Sequence, residues 1–291
     1  MSAMAPIPGR LSLLVHITYH DSNTTNPGSS QALKLSKGWR DFCFDAIVQQ
    51  FEEMERGYVA FRRVDVVVDA NEGHGYVERL RRWPESRWPT ASRVSVRVDV
   101  HQRSTLTHPF RLAWMHRAQM ESKLDAYDWF MSIEGDTFVP ARAMATQVAL
   151  APMLFEKHQI LLGFVRLCND TEGRSFYSDI TKPVARSSVV RLPGIEGHSF
   201  IVPQNSYAAV WAYPQAAMRG FVQSIDWPEG TRRLVRGMRE RAAWGWRHGK
   251  IMTLADSPAL RIYHLGKSGP YLVRVRGHNT LPADSMVVGT I

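Results

Sequence analysis

The sequence predicts an α/β protein: one domain with a mixed, mainly parallel sheet flanked by helices. Three observations carry this. Short runs rich in Val, Ile and Leu recur through residues 11–140. Between them lie segments whose apolar residues return at helical spacing. The strand-like runs also tend to close on acids or amides, at Asp69, Asn71, Asp99, Glu134 and Asp136, where open α/β sheets place their ligands.

The elements follow in order. LSLLVHITYH (Leu11–His20) reads as a buried strand, and DSNTTNPGSSQ after it has the composition of a loop. From about Leu33 to Arg56, Trp39, Phe42, Ile47, Phe51 and Met54 recur at roughly helical spacing. RRVDVVVDANE (Arg62–Glu72) and SRVSVRVDVHQ (Ser92–Gln102) are the second and third strands. HPFRLAWMHRAQMESKL (His108–Leu124) carries an apolar helical face, and YDWFMSIEGD is the fourth strand. The second half is less regular. KHQILLGFVRLCND reads as a strand, TEGRSFYSDITKPV as a loop, and SSVVRLPG and HSFIVPQNSYAAVWAYP as short strands and turns. Gly230–Gly249 reads as an amphipathic helix, and Ala259–Val273 as a late strand with a glycine-containing turn.

Composition narrows the class. Hydrophobic residues make up 44% and charged residues 22%, which is ordinary globular usage and excludes a disordered chain. The net charge of +9 favours anionic partners. No block of five or six like charges reads as a nucleic-acid tail. Two cysteines, Cys43 and Cys168, exclude a disulfide framework and a cysteine zinc site. A reducing, cytoplasmic compartment is the expectation. The N-terminal stretch lacks an apolar signal core, and no apolar run is long enough to span a bilayer.

Glu134-Gly135-Asp136 is the first candidate site. Two acids at a strand end can share one Mg²⁺ or Mn²⁺, because hard divalent ions take oxygen ligands and keep positions for phosphate and water. A plain turn explains the same triplet. His264, late in RIYHLGKSGP, can serve as a further metal ligand or as a half-buried structural histidine. Lys267 in the turn beyond it suits a diphosphate or an ordinary surface turn. Glu240, between Arg239 and Arg241, is a candidate general base or a member of a solvated, salt-bridged helix face. Asp69 and Asp99 can hold a nucleoside or serve as caps. His116 and Arg117 can face the cleft and touch phosphate. Asn205, Ser206 and Tyr207, with Trp211 beside them, can bind a sugar face, although packing accounts equally well for the tryptophan. The P-loop, the dinucleotide fingerprint, the nucleophile elbow and the zincin motif are all missing.

Together LSLLVHITYH, VDVVVDANE, HPFRLAWMHRAQM…YDWFMSIEGD and IYHLGKSGP resemble a glycosyltransferase of the GT-A (Rossmann-like) fold. YDWFMSIEGD is similar to the Asp-X-Asp-type strand of such enzymes. Glu134 and Asp136 match the outer acids, and Gly135 replaces the middle one. The resemblance covers roughly Leu11–Leu272. It implies transfer of a sugar from a UDP- or GDP-sugar to the hydroxyl of a glycan or other acceptor. Glu134, Asp136 and His264 would hold Mn²⁺ or Mg²⁺ on the diphosphate. Asp69 and Asp99 would contact the nucleoside, and Arg117 and Lys267 would add charge. Glu240 would be the base if the reaction inverts. Residues 1–10 would be a flexible leader, 11–140 the nucleotide-sugar half, and 141–291 the acceptor-binding and C-terminal half of the same domain.

Three other readings compete. A basic nucleic-acid-binding protein would use the arginine-rich segments but leaves the strand-end acids unexplained, so no stable nucleic-acid partner is expected. A nucleotidyltransferase would use the same acids and release pyrophosphate. A degenerate transferase would bind sugar nucleotide without turning it over.

Overall fold

The computed structural model describes residues 9–19, 37–71, 75–88, 92–101, 109–169, 174–177, 184–203, 209–228, 250–255, 257–265, 281–282 and 287–288. Its centre is a five-stranded sheet. Four strands are mutually parallel: β1 (Leu11–Tyr19), β2 (Phe61–Asn71), β3 (Val94–His101) and β4 (Trp129–Glu134). After the short β5 (Thr137–Phe138) come β6 (Leu161–Leu162), β7 (Val165–Asn169), β8 (Ser175–Tyr177), β9 (Val184–Ala185), β10 (Phe200–Ile201) and β11 (Val210–Pro214). The last of these runs antiparallel to β4, so the central order is β11-β4-β1-β2-β3. The expected α/β architecture with a mainly parallel sheet is therefore what the chain forms, and a strand from its second half completes the sheet begun by the first.

The pleat divides the core in two. Leu13, Val15 and Ile17 of β1 point to one face with Val64, Val66 and Val68 of β2. Three helices cover that face: α1 (Lys37–Gly57), α2 (Gly75–Arg87) and, C-terminal to β5, α4 (Ala141–His158). Helix α1 inserts Ile47, Phe51 and Met54, each at most 1% exposed. Burying side chains of this size contributes about 1.5–3 kcal/mol each. Leu14 and Val67 point to the other face. There Met120 of α3 (His116–Glu121) joins Phe221 and Met218 of α5 (Gln215–Val222) and the aromatic pair Trp211 and Tyr213.

Several expectations change. The single helix expected over His108–Leu124 is a 3-10 turn, Pro109–Trp114, followed by the short α3. Helix α2 fills the interval between the second and third strands and makes the strand–helix alternation regular. Its anchors Val77, Leu80 and Trp83 are spaced three apart, but Pro84 and the surrounding arginines obscure the pattern. Helix α4 is masked in the same way by Pro152 and by small alanines. The strand expected over residues 157–170 begins as the end of α4 and breaks at Gly163, between β6 and β7. The loop expected after it contains β8. Of the late strand and turn expected over Ala259–Val273, β13 (Arg261–His264) is present, after β12 (Ile251–Leu254) and a 3-10 turn, Pro258–Leu260, and residues 266–273 lie outside the described residues. Two further strands, β14 (Leu281–Pro282) and β15 (Val287–Val288), pair with β8 and β9 respectively. The helix expected at 230–249 lies outside the described residues.

Candidate functional site

Strand register assembles the site. Thr18 of β1 stands opposite both Asp69 of β2 and Glu134 of β4, and Asp69 stands opposite Asp99 of β3. Residues in register across parallel strands share a face, so three expected acids lie in one row at the carboxyl-terminal ends of the strands.

Asp69 occupies the middle of a buried polar centre. Its side chain is 0% exposed. Oδ2 lies 2.5 Å from His16 Nε2 and Oδ1 lies 2.5 Å from His101 Nε2. The His16 approach is off the direction of a well-formed hydrogen bond. Gln119 Nε2 donates to both Asp69 oxygens at 3.4 and 3.5 Å, and to Asp99 Oδ2 at 3.4 Å. Burial alone would raise the Asp69 pKa. The electrostatic effect of His16 and the hydrogen bond from His101 outweigh it and hold the carboxyl well below its usual range. Behind this centre the His16 ring sits 5.3 Å from that of His116, which is fully buried. His116 Nδ1 donates to the Ala113 carbonyl at 2.7 Å. Burial, then the charges of His16 and Arg117, keep the His116 pKa well below ordinary.

The second cluster forms around Asp136. After β4 the chain turns at Gly135, whose N–H donates to the Thr18 carbonyl at 2.9 Å. A Cβ at this position would lie 3.0 Å from that carbonyl oxygen and 3.3 Å from Ile47 Cδ1. A side chain here would meet the end of β1 and the protein interior, and its neighbours would have to give by a few tenths of an ångström to admit it. Strand β5 then pairs with β13 so that Thr137 faces His264 and Phe138 faces Tyr263. Leu265 N donates to the Asp136 carbonyl at 2.8 Å. This register brings His264 Nε2 to 3.5 Å from Asp136 Oδ2, with side chains 7% and 25% exposed. The C-terminal part of α1 and the residue just after it fix the turn. Gln50 Oε1 accepts from Val139 N at 2.7 Å, Tyr58 donates to the Val139 carbonyl at 2.8 Å, and Glu53 Oε1 caps Ala141 N at 2.6 Å.

The structure thus joins Asp136 to His264, and aligns Glu134 with Asp69 and Asp99. Among the described residues no three His, Cys, Asp or Glu side chains are grouped to hold a metal ion. The expected Glu134–Asp136–His264 trio is a pair plus a neighbouring acid. Arg117 departs from its expected phosphate role. It is 6% exposed, its guanidinium lies over the rings of Trp114, Trp227 and Phe221, and it donates to the carbonyls of Asp226 and Trp227. The short α3 turns it into this aromatic cage. His116 is likewise buried. Trp211 is 5% exposed and stacks on Tyr213 with centroids 4.5 Å apart, so it serves packing. Glu240, Lys267 and Asn205–Tyr207 lie outside the described residues.

Sequence reasoning missed His16, His101 and Gln119. A signal was present for the first: a histidine inside the apolar run LLVHIT must find a polar partner when buried.

No family model matches the chain, and no curated protein matches it. Among solved structures, a crystal structure of S. aureus TarS is 11% identical, with a TM-score of 0.45 over 87% of this chain and 36% of that one. A crystal structure of S. aureus TarS 1-349 is 10% identical, with a TM-score of 0.46 over 87% of this chain and 60% of that one. The chain therefore spans less than two thirds of the length of either. A likeness at this level says nothing about activity.

Proposed function

We propose that the protein is a glycosyltransferase that moves a sugar from a nucleoside-diphosphate sugar to an acceptor hydroxyl, with a divalent metal on the diphosphate. The observation that carries this reading is the meeting of Asp136 and His264, distant in sequence, beside a row of acids at the ends of parallel strands. A strand-end carboxylate with an imidazole at this spacing suits one small divalent ion. Adjacent ligands of an octahedral ion at ~2.1 Å stand roughly 3 Å apart, and such ions fill their other positions with phosphate oxygens and water. When bound, the ion would neutralise the charge that develops on the departing nucleoside diphosphate.

The chain's own residues do the rest. Asp136 and His264 anchor the diphosphate end, with Glu134 beside them. Asp99, a third exposed, takes the nucleoside, and wholly buried Asp69 behind it is framework and not the contact expected of it. Lys267 adds charge at the diphosphate, and Glu240 deprotonates the acceptor if the reaction inverts. Electrostatic stabilisation of the leaving group is the main catalytic term in this scheme.

A thermal-shift and hydrolysis panel of UDP- and GDP-sugars, with and without Mn²⁺, tests the proposal. The expected result is stabilisation by at least one nucleoside diphosphate that depends on the metal, since a ligand that binds only the folded state raises its melting temperature. Release of pyrophosphate from a nucleoside triphosphate supplied together with a sugar 1-phosphate would favour a nucleotidyltransferase. Salt-sensitive oligonucleotide binding without metal would favour a nucleic-acid-binding protein.

A further inference from the structure

Asp99 and His101 lie two residues apart on β3 and so project from the same face, at the end of the strand. Each has one polar atom engaged and one left over. His101 Nε2 faces Asp69 Oδ1 at 2.5 Å. Asp99 Oδ2 accepts from Arg97 at 2.9 Å and from Gln119 at 3.4 Å. Among the described residues His101 Nδ1 and Asp99 Oδ1 have no hydrogen-bond partner. Both side chains reach solvent, 26% exposed for His101 and 33% for Asp99.

The tautomer follows from the neighbour. Asp69 is an acceptor, so the His101 nitrogen that faces it carries a proton. Nδ1 is then an acceptor in the neutral ring and a donor in the protonated one. The hydrogen bond to Asp69, followed by the charges of Asp69 and Asp99, raises the His101 pKa against the effect of burial. Other charged or titratable groups around the centre are His16 from β1, Arg97 on β3, and His116 and Arg117 from α3. Protonated, His101 presents a donor beside the acceptor of Asp99.

We propose that His101 Nδ1–H and Asp99 Oδ1 together read the base of the nucleotide, one donating to a carbonyl oxygen of the base and the other accepting the neighbouring N–H. Buried Asp69 is the positioning residue that fixes the imidazole. This rests on the reading that a nucleotide binds at these strand ends, and adds that its grip on the base is set by one proton on His101.

The test measures the affinity of UDP, GDP and inorganic pyrophosphate in Mg²⁺ from pH 6 to pH 8.5, for the parent protein, His101→Phe and His101→Gln. At pH 6 His101→Phe should weaken binding of the nucleoside diphosphate about tenfold or more, the worth of a hydrogen bond from a charged group. Pyrophosphate, which has no base, should be unaffected. His101→Gln supplies a donor at every pH. The parent should therefore lose affinity relative to His101→Gln as pH rises, a comparison that cancels the ligand's own titration. A role confined to bracing Asp69 would change stability and leave this profile alone. Equal parent and His101→Phe affinities, equal loss for pyrophosphate, or a parent profile parallel to that of His101→Gln would overturn the inference and leave nucleotide binding standing. If neither UDP nor GDP binds at any pH, the proposed function falls and this inference falls with it.

Discussion

Asp69 and Asp136 sit at the same end of the sheet, and each has histidine for company, yet the two places are built differently. Asp69 is wholly buried between two imidazoles, each 2.5 Å away, with an amide above it. Asp136 is a quarter exposed, and its histidine stands 3.5 Å off. In the first, the protein neutralises its own carboxylate and needs nothing from outside. In the second, two potential ligands are held near each other by strand register and stop short of a tight ion pair. The difference teaches that a strand-end acid is a framework element when it is wholly buried among its partners, and a candidate ligand when it reaches solvent beside a histidine.

Substitutions separate the two roles, and the largest effect belongs to the buried centre. Asp69→Ala leaves two imidazoles and Gln119 facing each other without their acceptor. Removing one member of a buried charged pair costs about 3–5 kcal/mol, so urea unfolding should show a large loss of stability. A loss within error of zero would show that the centre is loosely solvated.

Acid and base should act on this centre from opposite sides. The folded-state pKa of His116 is depressed, so its contribution is full above the unfolded value of about 6.5 and is lost as pH falls below it. The folded-state pKa of His101 is raised, so its contribution is full below about 6.5 and is lost as pH rises through the folded value. Asp69, also depressed, adds a loss that starts only below about 3.9. Stability should therefore peak near neutrality, with an acid limb no steeper than the one-proton limit of about 1.4 kcal/mol per pH unit between the His116 and Asp69 windows. Denaturation across pH should show His116→Phe flattening that limb. An unchanged limb would mean that His116 is not the group responsible.

Gly135→Asp sharpens the contrast from the other side. It restores the middle acid of an Asp-X-Asp triplet, but its Cβ would press on the Thr18 carbonyl and on Ile47. The expected result is destabilisation by about 1–3 kcal/mol, as for other overpacked sites, with no gain in metal affinity by calorimetry. A gain in affinity would mean that the glycine marks a lost ligand.

Much of the fold was legible because β1 and β2 carry long Val-, Ile- and Leu-rich runs, as parallel strands buried on both faces must, while β3 at the sheet edge alternates apolar and polar residues. Helices α2 and α4 were not, because Pro84 and Pro152 sit inside them and the burial that overrides the prolines is tertiary. In the site, the strand-end acids were visible one by one. Their alignment with Thr18, and the joining of Asp136 to His264, depend on pairing register between distant strands, which spacing along the chain does not encode. Arg117 misled for a related reason. A basic residue on a short helix looks solvent-facing until the rings of Trp114, Phe221 and Trp227 close around it.

The smallest expected effect on stability is the most informative about function. Asp136→Ala removes a partly exposed carboxylate and should change the melting temperature of the free protein by no more than a few degrees. Melting the parent and this variant with UDP or GDP, with and without Mn²⁺, tests the central claim directly. The expected result is stabilisation of the parent that requires both nucleotide and metal, and its loss in Asp136→Ala. Equal stabilisation of the two proteins would contradict a metal and diphosphate site at Asp136.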